Sequence, residues 1–338
     1  MTNREQPVLT VVIPCYNSSD YLDHCVESLL TGSLDVEIVI VDDGSVDDTP
    51  AIADGWAARH PEAVRVIHQP NKGHGGAVMA GLAAARGAYF FVVDSDDWVD
   101  DAAFGLLLST LRRMEHTGPA ADLVVVNYVH EHTDTGTRRV RAYRALPKNR
   151  PFTWDETRHF TPSQNMMMHS LVYRTEVLRT SRLELPEHTF YVDNLFAYVP
   201  LPYVKTLYYL PVDLYRYFIG RADQSVNMGN LLKRQDQFHR VVTLMLDAVK
   251  LPEGARNPKL AAYMAQYLGV TIAFSTVIAL IDGSPEAFAE RARLWKRIDP
   301  SLRPHLGLPA RLTNVPGRWS RPIVLAVYEL ARRLYRFL

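Results

Sequence analysis

Cysteine is nearly absent from this 338-residue chain: Cys15 and Cys25 are the two present. Two thiols ten residues apart supply neither a disulfide framework nor a zinc set, so they read as reduced packing residues. Net charge is also missing, because 37 Lys+Arg stand against 37 Asp+Glu. A chain that coats nucleic acid neutralises phosphates and shows a basic excess, so that class is excluded as the main role. A secretory leader is not in evidence either: residues 1–7 are polar, and the apolar run Val8–Ile13 is short and β-branched. The expectation is a cytoplasmic protein. Long apolar runs are limited to Leu260–Ile281, 22 residues without a charge. That length can cross a bilayer, but Gln266, Ser275, Thr276 and the stop at Asp282-Gly283 make it read as a buried helix.

What is present is an alternation. Val8–Ile13, Val36–Val41, Val64–His68, Tyr89–Val93 and Leu123–Val126 are short β-branched runs, and Tyr21–Leu30, Asp48–Arg59, Gly76–Arg86 and Asp101–Met114 between them have helical spacing. Repeated strand–helix crossovers predict an α/β, doubly wound sheet with helices on both faces. Residues 133–162 lose this rhythm in a basic stretch, Arg138, Arg139, Arg141, Arg144, Lys148 and Arg150, which reads as a loop or hairpin arm. A strand over His169–Arg174, a helix near Thr175–Ser181 and an alternating aromatic strand Tyr208–Phe218 follow. From about residue 230 the pattern is helical: Leu231–Val249, Lys259–Ile281, Pro285–Ile298 and Ile323–Phe337, with Pro300–Pro316 as a connection. The domain reading is therefore 1–228, with a donor half 8–130 and an acceptor half 131–228, followed by a C-terminal helical region 229–338.

Ligands of such sheets bind beyond the carboxyl ends of the strands, so the polar residues there are candidates. Three carboxylates, Asp94, Asp96 and Asp97, directly follow one strand. Crowded acids repel one another unless a cation lies among them, and oxygen ligands suit Mg²⁺ or Mn²⁺ with a phosphate-bearing substrate. The alternative is an acidic cap for the helix after Asp100. Asp42 and Asp43 end the second strand, where a carboxylate can accept from a base or ribose or simply close a turn. Pro14 and Tyr16 end the first, and the Tyr16 ring offers a face to a nucleobase.

Four segments in this order resemble the family 2 glycosyltransferases: Val11–Asn17, Val39–Ser45 with Asp48-Thr49, Asn71–Ala77, and Val92–Asp97. The resemblance covers residues 8–130 strongly and 165–225 weakly. It implies a GT-A fold, a nucleotide-diphosphate sugar donor with a UDP-sugar favoured, Mn²⁺ or Mg²⁺, and transfer with inversion to a glycan or lipid-linked acceptor in cell-envelope assembly. It also implies roles: Tyr16 and Asp43 at the nucleobase with Pro14 and Asp42 beside them, Asp96 and Asp97 at the metal, and Asp94 at the donor. Val78 and Met79 stand where the family often has Arg-Asn, which removes a cation that Lys72 or His74 can replace. His74–Ala77 is closer to the variant of polyprenyl-phosphate transferases, an alternative activity.

Inversion needs a base for the acceptor hydroxyl. Asp193, in Phe190–Phe196, resembles the family's late acidic motif, with Val192 in place of its Glu; the alternative is an N-cap for a helix over Asn194–Val199. His169 is an acceptor-binding candidate, or a structural histidine. In Arg216–Asn227, which resembles a closing loop, Arg221 is the first candidate to meet the departing diphosphate and Arg216 the second. Residues 291–338 hold 11 Lys+Arg against 2 Asp+Glu. The amphipathic stripe Ile323–Leu338 either lies on an anionic membrane through 318–338, making the protein peripheral at the inner face of the plasma membrane, or packs on the catalytic domain. A non-catalytic sugar-nucleotide or membrane-binding module is the alternative of another class, and it has no use for a base such as Asp193.

Overall fold

The computed structural model describes residues 6–30, 35–132, 136–219, 228–251 and 253–313, with 322 and 326. The chain divides into two compact units, 1–158 with 166–220, and 159–165 with 221–338.

The first unit is built on one ten-stranded sheet in the order β3-β2-β1-β4-β9-β6-β10-β5, with β7 beside β6 and β8 beside β10. β1 (Leu9–Cys15), β2 (Val36–Asp42), β3 (Val64–His68) and β4 (Tyr89–Val92) run parallel, joined through α1 (Leu22–Leu29), α2 (Thr49–Arg59) and α3 (Gly73–Ala84). Every residue of β1, β2 and β4 is buried, the signature of parallel strands covered on both faces. Two of the buried polar residues in these strands satisfy each other: Thr10 Oγ1 donates to Glu37 at 2.7 Å. Arg65 and Arg86 each reach the same carboxylate at 2.6 Å. Helix α3 is rich in small residues and packs closely on β1; a Cβ on Gly81 would meet the Val12 side chain.

The second half of the sheet is mixed. β5 (Trp98–Val99) leads into α4 (Asp101–His116), capped by Asp100, which accepts from Ala103 N–H at 3.0 Å. β6 (Leu123–His132) runs past the expected Val126 because β7 (Thr137–Arg141) and β10 (Thr206–Ile219) pair with its second part. The basic stretch thus begins as a hairpin arm. β8 (Pro151–Thr153) edges β10, and β9 (Leu171–Arg174) lies antiparallel between β4 and β6. His169 is not in that strand: residues 168–170 form a 3₁₀ turn before it. Helices α5 (Thr175–Thr180) and α6 (Asp193–Tyr198) complete the unit.

The second unit is helical. The expected helix 231–249 breaks at Arg234 into α7 (Met228–Lys233) and α8 (Gln235–Ala248). α9 (Pro258–Asp282) starts with Asn257 accepting from Lys259 and Leu260 N–H and ends at Gly283, whose φ of 74° is the left-handed cap that glycine provides. It is long and apolar enough to cross a membrane, and 78% of its most apolar window is buried. α10 (Pro285–Arg297) follows, and residues 300–316 are not merely a connection, since α11 (Gly307–Thr313) packs on α9 there. Gly269 allows that approach, because a Cβ on it would strike the Leu306 backbone. Residues 318–338 fall outside the described residues apart from 322 and 326.

Candidate active site

The ends of β1, β2 and β4 gather the polar segments at one edge of the sheet. After β1, Tyr16 is 53% exposed, and Asn17 turns the chain with a φ of 50°. Its Oδ1 accepts from Val46 N–H at 2.9 Å, and its N–H donates to Ser45 Oγ at 3.0 Å, which ties the first strand end to the second. Pro14 lies within β1, opposite Val41. Asp42 accepts from Ser45 N–H at 3.0 Å and faces His68 Nδ1 at 2.9 Å.

Asp43 is buried and turned toward the glycine-rich segment. Its Oδ1 accepts from Gln69 Nε2 at 2.6 Å and Lys72 N–H at 2.8 Å, and its Oδ2 from Gly73 N–H at 2.7 Å. Gly73 has a φ of 76°, and a Cβ there would lie 2.9 Å from the His188 nitrogen. His188 N–H donates to Lys72 O at 2.8 Å, and Lys72 Nζ pairs with Glu187 at 3.2 Å. The turn before α3 is thus latched to the segment that leads to Asp193. In that segment Arg182, His188 and Tyr191 all have positive φ.

The acidic turn after β4 closes with Asp97 N–H donating to Asp94 O at 3.0 Å. Its carboxylates meet different fates. Asp94 faces His74 Nε2 at 2.8 Å. Burial opposes ionisation of Asp94, but His74 outweighs it and holds the carboxyl below its ordinary range. His74 responds in kind, with burial overcome by Asp94 and its proton held more tightly. Asp97 accepts from Tyr215 Oη at 2.5 Å and from Phe218 N–H at 2.8 Å. Burial, then Asp96 and Asp94, raise its carboxyl well above the usual range. Asp96 is half-buried beside them.

His169 stands over this turn, its ring 4.7 Å from Tyr215 and 4.9 Å from Tyr217 between centroids. Burial lowers its basicity against the pull of Asp94 and Asp193. Its Nδ1 is buried with no hydrogen-bond partner among the described residues. Ligand atoms of Asp94, Asp97 and His169 lie within 4.8 Å of one another. An imidazole nitrogen beside two crowded carboxylates fits a divalent cation, and a mixed nitrogen and oxygen set suits Mn²⁺ better than Mg²⁺. This grouping differs from the Asp96 and Asp97 pair that the sequence pointed to, since Asp96 contributes no atom to it.

Asp193 is the first residue of α6 rather than its N-cap, which is Val192. Burial raises its carboxyl, while His169 and His74 counteract it. That mutual influence joins Asp193 electrostatically to the cluster after β4. Arg216 does not reach out to a ligand: it is 14% exposed and paired with Asp100 at 2.8 Å and Glu131 at 2.9 Å. Arg221 lies outside the described residues. Both cysteines are buried and burial raises both thiols, in keeping with packing roles.

Sequence reasoning missed Tyr215 and Tyr217. Their signal was available in the alternation of the aromatic strand, which puts residues 215 and 217 on one face.

The family model described as Glycosyl transferase family 2 matches residues 10–175. EpsH of Bacillus subtilis (strain 168) is 30% identical over 236 residues, which are 64% of this chain and 62% of that protein. The chondroitin synthase of Escherichia coli is 42% identical over 113 residues, 33% of this chain and 16% of its own. The chain spans less than two thirds of the length of these curated relatives. Among solved structures, residues 1–349 of S. aureus TarS in complex with UDP-GlcNAc match with a TM-score of 0.66 at 17% identity, over 97% of this chain and 91% of that one. The mannosyltransferase PcManGT from Pyrobaculum calidifontis, in complex with GDP-Man and Mn²⁺, matches with a TM-score of 0.51 at 16% identity, over 97% and 88%. With these motifs at the strand ends of a sheet like that of TarS, residues 10–175 form a glycosyl transferase family 2 domain, and the fold is GT-A.

Proposed function

We propose that this chain is an inverting, metal-dependent glycosyltransferase that moves a sugar from a nucleotide-diphosphate sugar, a UDP-sugar first, to a hydroxyl of a polysaccharide or lipid-linked glycan in cell-envelope assembly. The observation that carries the reading is the grouping of Asp94, Asp97 and His169 within 4.8 Å of one another, with the raised carboxyl of Asp193 in electrostatic reach of His169. TarS and PcManGT, with their nucleotide-sugar ligands, support the donor class, and the chondroitin synthase supports a polysaccharide product.

In this reading the exposed Tyr16 stacks on the base, and Asp42 and Asp43 shape its pocket, Asp43 by fixing the Lys72–Gly73 turn. His74 orients Asp94 toward the donor and, with Lys72, replaces the missing family cation. Asp94, Asp97 and His169 hold the metal with Asp96 beside them, and His169 also borders the acceptor. A bound divalent cation neutralises the leaving diphosphate. Asp193 takes the proton of the acceptor hydroxyl as its oxygen bonds to the anomeric carbon and the bond to the diphosphate breaks. Burial makes it a stronger base than an ordinary aspartate. Arg221, two residues beyond β10 in the sequence, meets the departing diphosphate. The reading carries with it a cytoplasmic enzyme, peripheral at the inner face of the plasma membrane through 318–338.

The test is transfer and donor hydrolysis with a panel of nucleotide sugars and Mn²⁺, beside Asp193→Asn. Expected are metal-dependent turnover with one donor and its loss in the variant, with donor affinity kept. Because a base must be ionised, the wild-type rate should fall as pH drops through a pKa above the ordinary aspartate range. Full turnover in Asp193→Asn would remove it from the mechanism, and donor binding without any turnover would favour a binding module.

A further inference from the structure

The basic hairpin noted in the sequence continues the same face of the sheet as the site. Register places Arg141, Tyr128 and Tyr215 in one row across β7, β6 and β10, and Arg139, His130 and Tyr217 in the next. Neighbours in a row share a face. Ring contacts run along it: His169 to Tyr217 at 4.9 Å, and Tyr217 to His130 at 5.7 Å. Tyr128 lies 5.7 Å from His169 and 5.4 Å from His130. Tyr128 feels Arg141 and Arg139 at one side and Asp193 at the other, so the two ends of the face are within electrostatic reach of each other. His130, Arg139, Arg141 and Tyr217 are half-buried, so their outer surfaces meet solvent.

The opposite face of the hairpin is different. Glu131 there pairs with Arg138 and Arg216, which neutralises it. Residues 136–150 hold six basic side chains and no acid in a chain of zero net charge, and of these Arg138 pairs with Glu131 and Arg150 with Glu156. Arg139 and Arg141 stand two strands from β10, about 10 Å away at ordinary strand spacing.

We propose that this face receives an acceptor glycan that carries repeated negative charge, with its sugar rings on Tyr217 and His130 and its anionic groups at Arg139 and Arg141. The inference rests on the glycosyltransferase reading and names the acceptor class. Aromatic faces attract the C–H faces of sugars, and a guanidinium fork matches a carboxylate or a phosphate. An exit path from His169 toward two arginines selects a chain whose charges recur beyond the accepting sugar. It gives a neutral glycan no comparable anchor.

The test uses the full chain and four labelled probes in a direct binding assay: a hyaluronan oligosaccharide, a poly(glycerol phosphate) of similar length, a neutral cello-oligosaccharide, and phosphatidylglycerol vesicles. At least one anionic glycan should bind about tenfold or more tightly than the neutral one, and which of the two binds identifies carboxylate or phosphate as the partner. The double variant Arg139→Gln/Arg141→Gln should lose about tenfold or more of that affinity, and Arg139→Lys/Arg141→Lys, which keeps the charge without the fork, should lose less than the glutamine variant. Equal affinity for neutral and anionic glycans, unchanged affinity in the glutamine variant, or binding of the vesicles alone would overturn the proposal. Nucleotide titration of the same samples separates the two readings: donor binding without glycan selectivity defeats only this inference, and glycan selectivity without donor binding defeats the donor assignment.

Discussion

Replacing Tyr215 with Phe deletes one oxygen from a fully buried ring and leaves its edge-on packing against Phe91 in place. The lost hydroxyl donates to Asp97 Oδ2 at 2.5 Å and accepts from Asp94 N–H at 3.2 Å. Burial and both aspartates keep that hydroxyl protonated, so it is a donor at any working pH. Where Asp97 is neutral, the form that burial, Asp96 and Asp94 favour, the two bonds are worth about 1–2 kcal/mol together. In a unit of roughly 200 residues that is a Tm drop of about 2–8 °C. A cation requires Asp97 ionised, and a hydrogen bond to an ionised group is worth about 1.5–3 kcal/mol. The difference, about 1–2 kcal/mol, falls on the bound state alone, so Mn²⁺ affinity should weaken about tenfold. Thermal unfolding of the metal-free protein and Mn²⁺ titration by calorimetry read the two quantities separately. A variant with wild-type Mn²⁺ affinity would refute the argument, whatever its Tm.

Two further outcomes follow from the same structure. Gly73→Ala puts a side chain on a left-handed residue and against the His188 backbone, a cost of about 2–4 kcal/mol that thermal unfolding should show as a Tm lower by about 5–15 °C; an unchanged Tm would mean the two segments are not in contact. At Glu37, burial alone would raise the carboxyl, but Thr10, Arg86 and Arg65 overcome it and hold the carboxyl below the ordinary range. The stabilisation from its ionised form is therefore complete above the pKa of an unfolded glutamate and is lost as pH falls through the folded value. Glu37→Gln should cost about 1–3 kcal/mol near neutrality, at the low end because both arginines regain water, and should flatten the acid side of a Tm–pH curve; parallel curves for the two proteins would contradict this.

The first half of the sheet was legible because buried parallel strands leave long β-branched runs between helices, and every run from Val8 to Val92 corresponds to a strand. Past Leu123 the sheet is mixed: β6 and β10 run parallel, but β10 also takes antiparallel partners as short as Trp98–Val99 and Pro151–Thr153, which are too brief to leave a period. The break at Arg234 and the helix Gly307–Thr313 were hidden for another reason: both depend on packing against α9 rather than on local pattern. At the site, the acidic turn was readable as a motif, yet the distinct states of Asp94 and Asp97 were not. Burial together with Asp96 and Asp94 raises Asp97, while His74, His169 and Tyr215, from three separate elements, overcome burial at Asp94, and sequence spacing does not encode such encounters.

The latch between the Lys72–Gly73 turn and His188 has a mechanical side. Asp43 grips that turn from the strand-end pocket, and the turn shares a backbone hydrogen bond with His188, five residues before Asp193. The contact at Gly73 has no slack, since even a methyl group would not fit. Pocket, turn and the segment that carries Asp193 are therefore coupled as a linkage of stiff members. A ligand that repositions Asp43 by a fraction of an ångström also re-aims the carboxylate that would take the proton, which makes the geometry of deprotonation a function of what fills the other end of the crevice.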